Sequence, residues 1–328
     1  MENDSAAEVL DTQAGRIVVG YDGSAPGRVA LDWAAGEARR AHRPLTVLHV
    51  SDPLAGAFGL PPARFAPGAD VARAPGSQAG TAETGARRAR ERAPGVDVAA
   101  LAATARVATT LVRASRSADL LVLGTHGHVD PASGVLGSVA YAVAVHALCP
   151  VVVARGDAGR VPGPTRPVVV GVDGSSASGV ALAAAAEAAE RAGAELIVVT
   201  AYPARRTQPW TDGGRPGESA GDGEFADLSK QAADAVAAHA AVAATANRPD
   251  LKVTPVVVEG APGQVLVDVA QPAALLVLGS RGWGGVLGML GSATHWAVHR
   301  ASCPVMVVPR PSGRPASEIS GFPGQLDR

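Results

Sequence analysis

The sequence predicts two successive α/β domains, each a parallel sheet with helices on both faces. Three observations carry that prediction. The chain repeats itself at nearly one offset, its apolar runs are short and rich in Val and Leu, and longer Ala-rich stretches lie between them. The repeat is direct: RIVVGYDGSAPGRVAL from Arg16 returns as PVVVGVDGSSASGVAL from Pro167, placing Asp22 and Asp173 151 residues apart. ADLLVLGTHG from Ala118 returns as AALLVLGSRG from Ala273 at an offset of 155, and ALCPVVVAR from Ala147 returns as ASCPVMVVP from Ala301 at 154. Three segments in one order at nearly one spacing indicate duplication.

Within a half the elements follow in order. Residues 17–19, 45–50, 120–123 and 151–153 are apolar runs with the length of buried parallel strands. Residues 28–41 and 180–192 are long and Ala-rich, which favours helix. Strands alternating with helices imply parallel pairing and right-handed crossovers. Five strands per half in a flavodoxin-like doubly wound arrangement are therefore expected. The stretches 52–80 and 203–223 are rich in Gly and Pro and too long for ordinary connections, so they are expected as flaps or insertions. The expected organisation is a tail over 1–14, a first domain over 15–155, a linker over 156–165, a second domain over 166–310 and a tail over 311–328.

Composition narrows the function. At 328 residues the chain can build two ordinary cores, and with 47% hydrophobic but only 3% aromatic residues those cores must be made of Ala, Val and Leu. All but two of the 29 basic residues are arginine, the exceptions being Lys230 and Lys252. A net charge of −1 and a pI of about 6.7 leave no electrostatic footprint for nucleic acid. Cys149 and Cys303 have no metal spacing; each precedes a Pro at the start of a last strand and reads as a buried thiol. The opening MENDSAAEVLDTQAG is acidic and polar, unlike a secretory leader, and the apolar runs are too short to span a bilayer. A cytoplasmic protein without membrane or nucleic-acid partners is expected.

In a doubly wound sheet, ligands bind beyond the carboxyl ends of the strands where the strand order reverses. Two sequence features fall there. One is the aspartate closing the first strand, Asp22 in VGYDGS and Asp173 in VGVDGS. The other follows the fourth strand: Gly124 and Gly127, nine residues, then Gly137 and Ser138 ahead of the last helix. Glycines let backbone approach a phosphate, and a helix start offers unpaired N–H groups and partial positive charge. A carboxylate can accept hydrogen bonds from ribose hydroxyls or an adenine amine. Together they read as an adenine-nucleotide pocket, although the same glycines would also serve simply to close a tight strand-to-helix turn.

With VGxDGS after strand one, G-x2-G-x9-G-S after strand four and a CPVVV-type last strand, the chain resembles the ATP-binding branch of the universal stress protein family, in tandem form. The resemblance covers nearly all of both halves and implies an adenine nucleotide alpha hydrolase-like fold. It also implies that the last strands of the halves, 151–153 and 305–308, meet antiparallel across a pseudo-two-fold axis, as an intrachain pseudo-dimer, with a homodimer as a further option. It implies that Asp22 and the backbone around Val50 lie near adenine and ribose, and that Gly124, Gly127, Gly137, Ser138 and Val139 lie along the phosphates. The matching positions of the second half are Asp173, Ala201, Gly279, Gly282, Gly291, Ser292 and Ala293. The ligand implied is ATP, or AMP or ADP, with Mg2+ as an accompanying ion.

Both halves depart from that pattern. The first fills its gap with HVDPASGVL, setting Asp130 and Pro131 beside the phosphate positions. The second has eight residues, 283–290, in place of nine, and one lost residue is expected to rotate the helix start by about 100° relative to the loop. Neither loop is a P-loop, because no Lys follows the glycines. His295 and His299 are four apart on a helix but lack a third ligand, which favours a surface or interface role. No catalytic constellation can be assembled from the sequence. The expected function is adenine-nucleotide sensing or stress signalling through an unknown partner; the alternatives are an interaction protein of the same fold, or a slow ATPase.

Overall fold

In the computed structural model, residues 13–52, 78–127, 136–156, 161–203, 222–282 and 288–310 are described. Nearly all of the two expected flaps, both tails, and Asp130 and Pro131 lie outside them. The first half runs β1 (Ile17–Gly20), α1 (Ala25–Ala41), β2 (Leu45–Ser51), α2 (Gln78–Arg92), β3 (Val98–Thr104), α3 (Val107–Ala114), β4 (Leu120–Gly124), α4 (Ser138–His146) and β5 (Val151–Ala154). The second repeats it as β6 (Val168–Gly171), α5 (Ser176–Ala192), β7 (Leu196–Tyr202), α6 (Asp222–Thr245), β8 (Val253–Glu259), α7 (Pro262–Val269), β9 (Leu275–Gly279), α8 (Ser292–Arg300) and β10 (Val305–Val308).

Two helices begin earlier than their Ala-rich stretches suggest, and the reason is capping. The Ser24 hydroxyl accepts the Gly27 N–H at 3.0 Å and Ser175 accepts the Ser178 N–H at 3.2 Å, each satisfying an otherwise unpaired helix-start donor. The caps pull α1 and α5 back to the ends of β1 and β6, beside the aspartates. At the far ends both helices stop on a left-handed residue, His42 (φ 51°) and Gly193 (φ 58°).

All the strands form one ten-stranded sheet in the order β3-β2-β1-β4-β5-β10-β9-β6-β7-β8. Pairing is parallel everywhere except at the centre, where β5 meets β10 antiparallel through Val151↔Val307, Val152↔Met306 and Val153↔Val305. The expected meeting of the last strands is therefore present, and it fuses two sheets into one. Each half is doubly wound as expected. Its strand order, 3-2-1-4-5, is that of the Rossmann arrangement rather than the 2-1-3-4-5 of flavodoxin, so the reversal falls between β1 and β4, and between β6 and β9.

Two cores line the two faces. Val152, Ala154, Met306 and Val308 point to the face covered by α1, α2, α5 and α6, while Val151, Val153, Val305 and Val307 point to the face covered by α3, α4, α7 and α8. Each core runs through both halves. Ala dominates the helix sides, and Trp33 on α1 is the largest fully buried side chain. Trp296 on α8, by contrast, stays 39% exposed, with the Arg300 guanidinium 4.9 Å from its ring centre. The edge strands are β3 and β8, and the latter tolerates Pro255 because an edge residue need not donate to a second neighbour. Polar contacts also join the halves: Arg191 of α5 reaches buried Glu37 of α1 at 3.2 Å. Arg155, just after β5, donates to the carbonyls of Ala301, at 3.0 Å, and Val298 at the end of α8.

Candidate functional site

Each strand reversal opens a cleft, and the two clefts are built alike. In the first half, residues after β1 and β4 meet the start of α4 around a cavity of about 440 Å³. Its floor is apolar, made by Leu48, Val50, Val107, Leu111 and Leu123, and its rim is polar, made by Asp22, Gly127, Gly137 and Ser138. The second cleft, about 470 Å³, has Val199, Ala201, Pro262, Leu266 and Leu278 below, and Asp173, Arg281, Gly282, Gly291 and Ser292 above. Both volumes fall in the range of small-molecule sites. All seven residues singled out in each half line its cavity: Asp22, Val50, Gly124, Gly127, Gly137, Ser138 and Val139 in one, and Asp173, Ala201, Gly279, Gly282, Gly291, Ser292 and Ala293 in the other.

The aspartates are oriented locally. Asp22 Oδ1 accepts the Ser24 N–H at 2.9 Å and Asp173 Oδ1 accepts the Ser175 N–H at 3.0 Å, a side-chain turn that precedes each capped helix. The glycines then divide by what they face. A Cβ on Gly124 would lie 2.8 Å from the Pro26 backbone, and one on Gly279 would lie 2.9 Å from the Ala177 carbonyl oxygen. These two let the loop pass over the start of α1 or α5. A Cβ on Gly127 would instead lie 2.8 Å from Asp22 Oδ2, and one on Gly282 would strike Asp173 Oδ2. The second glycine of each pair leaves the carboxylate its room at the cleft mouth.

The helix starts resolve the question of loop length. Gly137 N–H donates to Thr125 O at 2.7 Å, and Gly291 N–H donates to the equivalent Ser280 O at 2.9 Å. Gly137 and Gly291 share one backbone conformation, φ −63°, ψ 149° and φ −59°, ψ 151°. A Cβ on either would press on the same neighbour, the Cα of His126 at 3.2 Å or of Arg281 at 3.3 Å. The expected rotation of the second helix start is therefore absent. A backbone hydrogen bond pins the corner, so the missing residue is absorbed within the loop. Neither α4 nor α8 has a side-chain cap, so their first N–H groups have neither an intrahelical nor a side-chain capping partner, and the residues that carry them, Ser138 and Val139 or Ser292 and Ala293, line the clefts.

Sequence reasoning passed over the residue inside each glycine pair. His126 and Arg281 occupy equivalent positions and both line the clefts. His126 Nδ1 is 2.9 Å from the Thr125 hydroxyl, while its buried Nε2 has no hydrogen-bond partner among the described residues. Arg281 is held by the Met289 carbonyl at 3.3 Å, leaving a guanidinium at the second rim. The signal was the polar residue at the third position of each G-x2-G. Also unexpected were the openings of α3 and α7, Val107 and Pro262, which help wall the floors. Among the described residues no three His, Cys, Asp or Glu side chains gather to hold a metal, and no helix is long and apolar enough to cross a membrane. His295 and His299 form an interface cluster, with Tyr141 of the first half 5.7 Å and 6.3 Å from their ring centres.

These features define a tandem doubly wound α/β protein with one rim-and-floor cleft at each strand reversal. The chain belongs to the universal stress protein family, whose sequence pattern it matches twice, over residues 14–155 and 164–309. It is 34% identical over 301 residues to a universal stress protein of Mycobacterium tuberculosis, covering 89% of this chain and 96% of that one. Among solved structures, a universal stress protein from Archaeoglobus fulgidus superposes with a TM-score of 0.62 at 19% identity, over 91% of this chain and 99% of its own. A universal stress protein solved in complex with cAMP aligns at 28% identity with 45% of this chain and 98% of its own, with a TM-score of 0.33.

Proposed function

We propose that each cleft binds an adenine nucleotide, ATP or its mono- or diphosphate, and that the protein acts as a nucleotide-responsive regulator in a stress response. One observation carries the reading: each cleft sets an apolar floor below an uncapped helix start, with a carboxylate between them, and the arrangement occurs twice. An adenine ring is flat and largely apolar, and burying it on Leu48, Val50 and Leu111 is favourable. Asp22 would accept from the ribose or the adenine amine. The N–H groups of Ser138 and Val139, with the Ser138 hydroxyl, would receive the phosphates, as helix starts commonly do. Asp173, Ala201, Ser292 and Ala293 would do the same in the second half, where Arg281 adds a positive charge. His126 Nε2, buried and without a partner among the described residues at the first cleft, supports a polar ligand there. Mg2+ would accompany a triphosphate and screen its charge from Asp22.

The working units in this reading are the halves 15–155 and 166–310, joined by 156–165, acting in the cytoplasm through a partner protein. Calorimetric titration of ATP, ADP and AMP, with and without Mg2+, tests it. Saturable binding that weakens in Asp22→Ala and Asp173→Ala is expected. No saturable uptake of any of the three at millimolar concentration would overturn the reading, and steady phosphate release abolished by Asp22→Ala would replace it with that of a slow ATPase.

A further inference from the structure

The two clefts are built alike but are not supported alike. Leu136 immediately precedes Gly137, the corner that delivers the start of α4 to the first cleft, and both residues are described. The Leu136 N–H donates not to its own half but to His299 Nδ1, on α8 of the second half, at 3.2 Å. The equivalent position in α4 is Val145, whose side chain has no acceptor. The second half thus holds the first half's corner with a side chain that has no equivalent at the matching position of the first half.

The bond has a chemical condition. An imidazole accepts at Nδ1 only when that nitrogen carries no proton, and a protonated ring has two donors and no acceptor. Around His299, the titratable and charged groups among the described residues are His295 and Arg300 on its own helix, Arg155 after β5, and Tyr141 on α4. His295 lies with its ring centre 4.7 Å away. Burial, His295 and the two arginines all disfavour charge on His299 and lower its pKa, so the accepting form dominates at neutral pH.

We propose that His299 is a positioning residue for the first cleft: its neutral ring fixes the Leu136–Gly137 corner, and its protonation releases that corner. The inference rests on the nucleotide reading and adds to it a one-way, acid-sensitive coupling between the halves. Acid would weaken the first site while leaving the corner of the second untouched.

The experiment compares wild type with His299→Leu and His299→Asn. Leucine removes the acceptor, whereas the asparagine side-chain oxygen can accept where Nδ1 does and does not titrate. Binding of ADP is measured at pH 7.5 and 5.5 in two backgrounds, Asp173→Ala to isolate the first site and Asp22→Ala to isolate the second. The ligand's own phosphate is common to both sites, and His126, which lines only the first cleft, is present in every protein compared, so the change of the affinity ratio with pH is read as a difference between wild type and variant. Exchange of the Leu136 amide is followed in the ligand-free protein. His299→Leu is expected to weaken the first site about fivefold at pH 7.5, to speed Leu136 exchange, and to show a smaller fall of the first-to-second affinity ratio on acidification than wild type. His299→Asn is expected to keep the pH 7.5 affinity and protection, with the same smaller fall of the ratio down to pH 5.5. If ADP binds the first site and His299→Leu changes neither its affinity nor Leu136 exchange, the coupling is wrong and the nucleotide reading stands. If His299→Asn behaves as His299→Leu does, the accepting nitrogen is not the cause and the inference is equally overturned. If wild type binds no ADP, the nucleotide reading fails and takes this inference with it.

Discussion

Gly127 lies against Asp22: a single methyl group on the glycine would come within 2.8 Å of the carboxylate oxygen Oδ2. Gly282 stands in the same relation to Asp173. Gly124, only three residues earlier, faces the Pro26 backbone instead. Glycines of one motif therefore answer to different neighbours, and that separates a turn-closing role from a site-forming one.

Gly127→Ala is expected to push the Asp22 carboxylate aside while leaving the fold intact. A short side chain can yield, so the stability cost should be about 1 kcal/mol or less. Adenine-nucleotide affinity at the first site should fall at least about tenfold, or about 1.4 kcal/mol. Gly124→Ala meets backbone that cannot yield without moving α1, and should lower unfolding free energy by about 1–3 kcal/mol. Urea titration and calorimetry on the two variants check the contrast; equal losses of stability would refute it.

The shorter second loop predicts tolerance of insertion. Because Gly291 is pinned to Ser280 O as Gly137 is to Thr125 O, one Gly added between residues 284 and 285 should leave the α8 corner where it is. The melting temperature of the insertion variant should stay within about 2 °C of wild type. A fall of ten degrees would show that the loop, rather than the hydrogen bond, sets the helix start.

Arg155 is mostly buried beside carbonyls rather than carboxylates, and burial pulls its guanidinium down to about 10. It remains charged at neutral pH and terminates α8 by donating to its last-turn carbonyls, where a cation is favoured. Arg155→Met keeps most of the apolar stem but loses the donors. The expected cost is about 1–3 kcal/mol, read as a lower urea midpoint, since carbonyls in the contact between the halves lose their partner.

Burial raises the Cys149 thiol to about 12. It should therefore resist alkylation at pH 8 in the native protein and react fully only in denaturant, as mass spectrometry after iodoacetamide treatment would read. A thiol whose folded pKa lies above its unfolded value adds stability below the ordinary thiol pKa, and that contribution is lost as pH rises toward the folded value. Replacing Cys149 with Ser should remove the thiol's share of alkaline destabilisation between about pH 9 and 12.

Much of the architecture could be read in the chain because it rests on local or periodic signals. Strands β1, β2, β4 and β5 announce themselves as Val- and Leu-rich runs, and the repeat doubles each reading. The helix starts were less legible, because Ser24 and Ser175 act as caps through one hydrogen bond each, and composition does not record that. Pro262 and Val107 gave no sign of walling a cleft, since their role depends on where α3 and α7 dock.

The sequence by itself determined the duplication, the α/β alternation and the aspartate and glycine positions. It could do so because apolar period, turn residues and repeated spacing act over short stretches of chain. Only the tertiary structure decided the strand order that sets the reversal between β1 and β4, the unchanged corner at Gly291 despite a shorter loop, and the contact of His299 with Leu136. Those outcomes depend on hydrogen bonds and packing between residues far apart in sequence, 163 positions in the last case, and no local pattern encodes a distance that only folding creates.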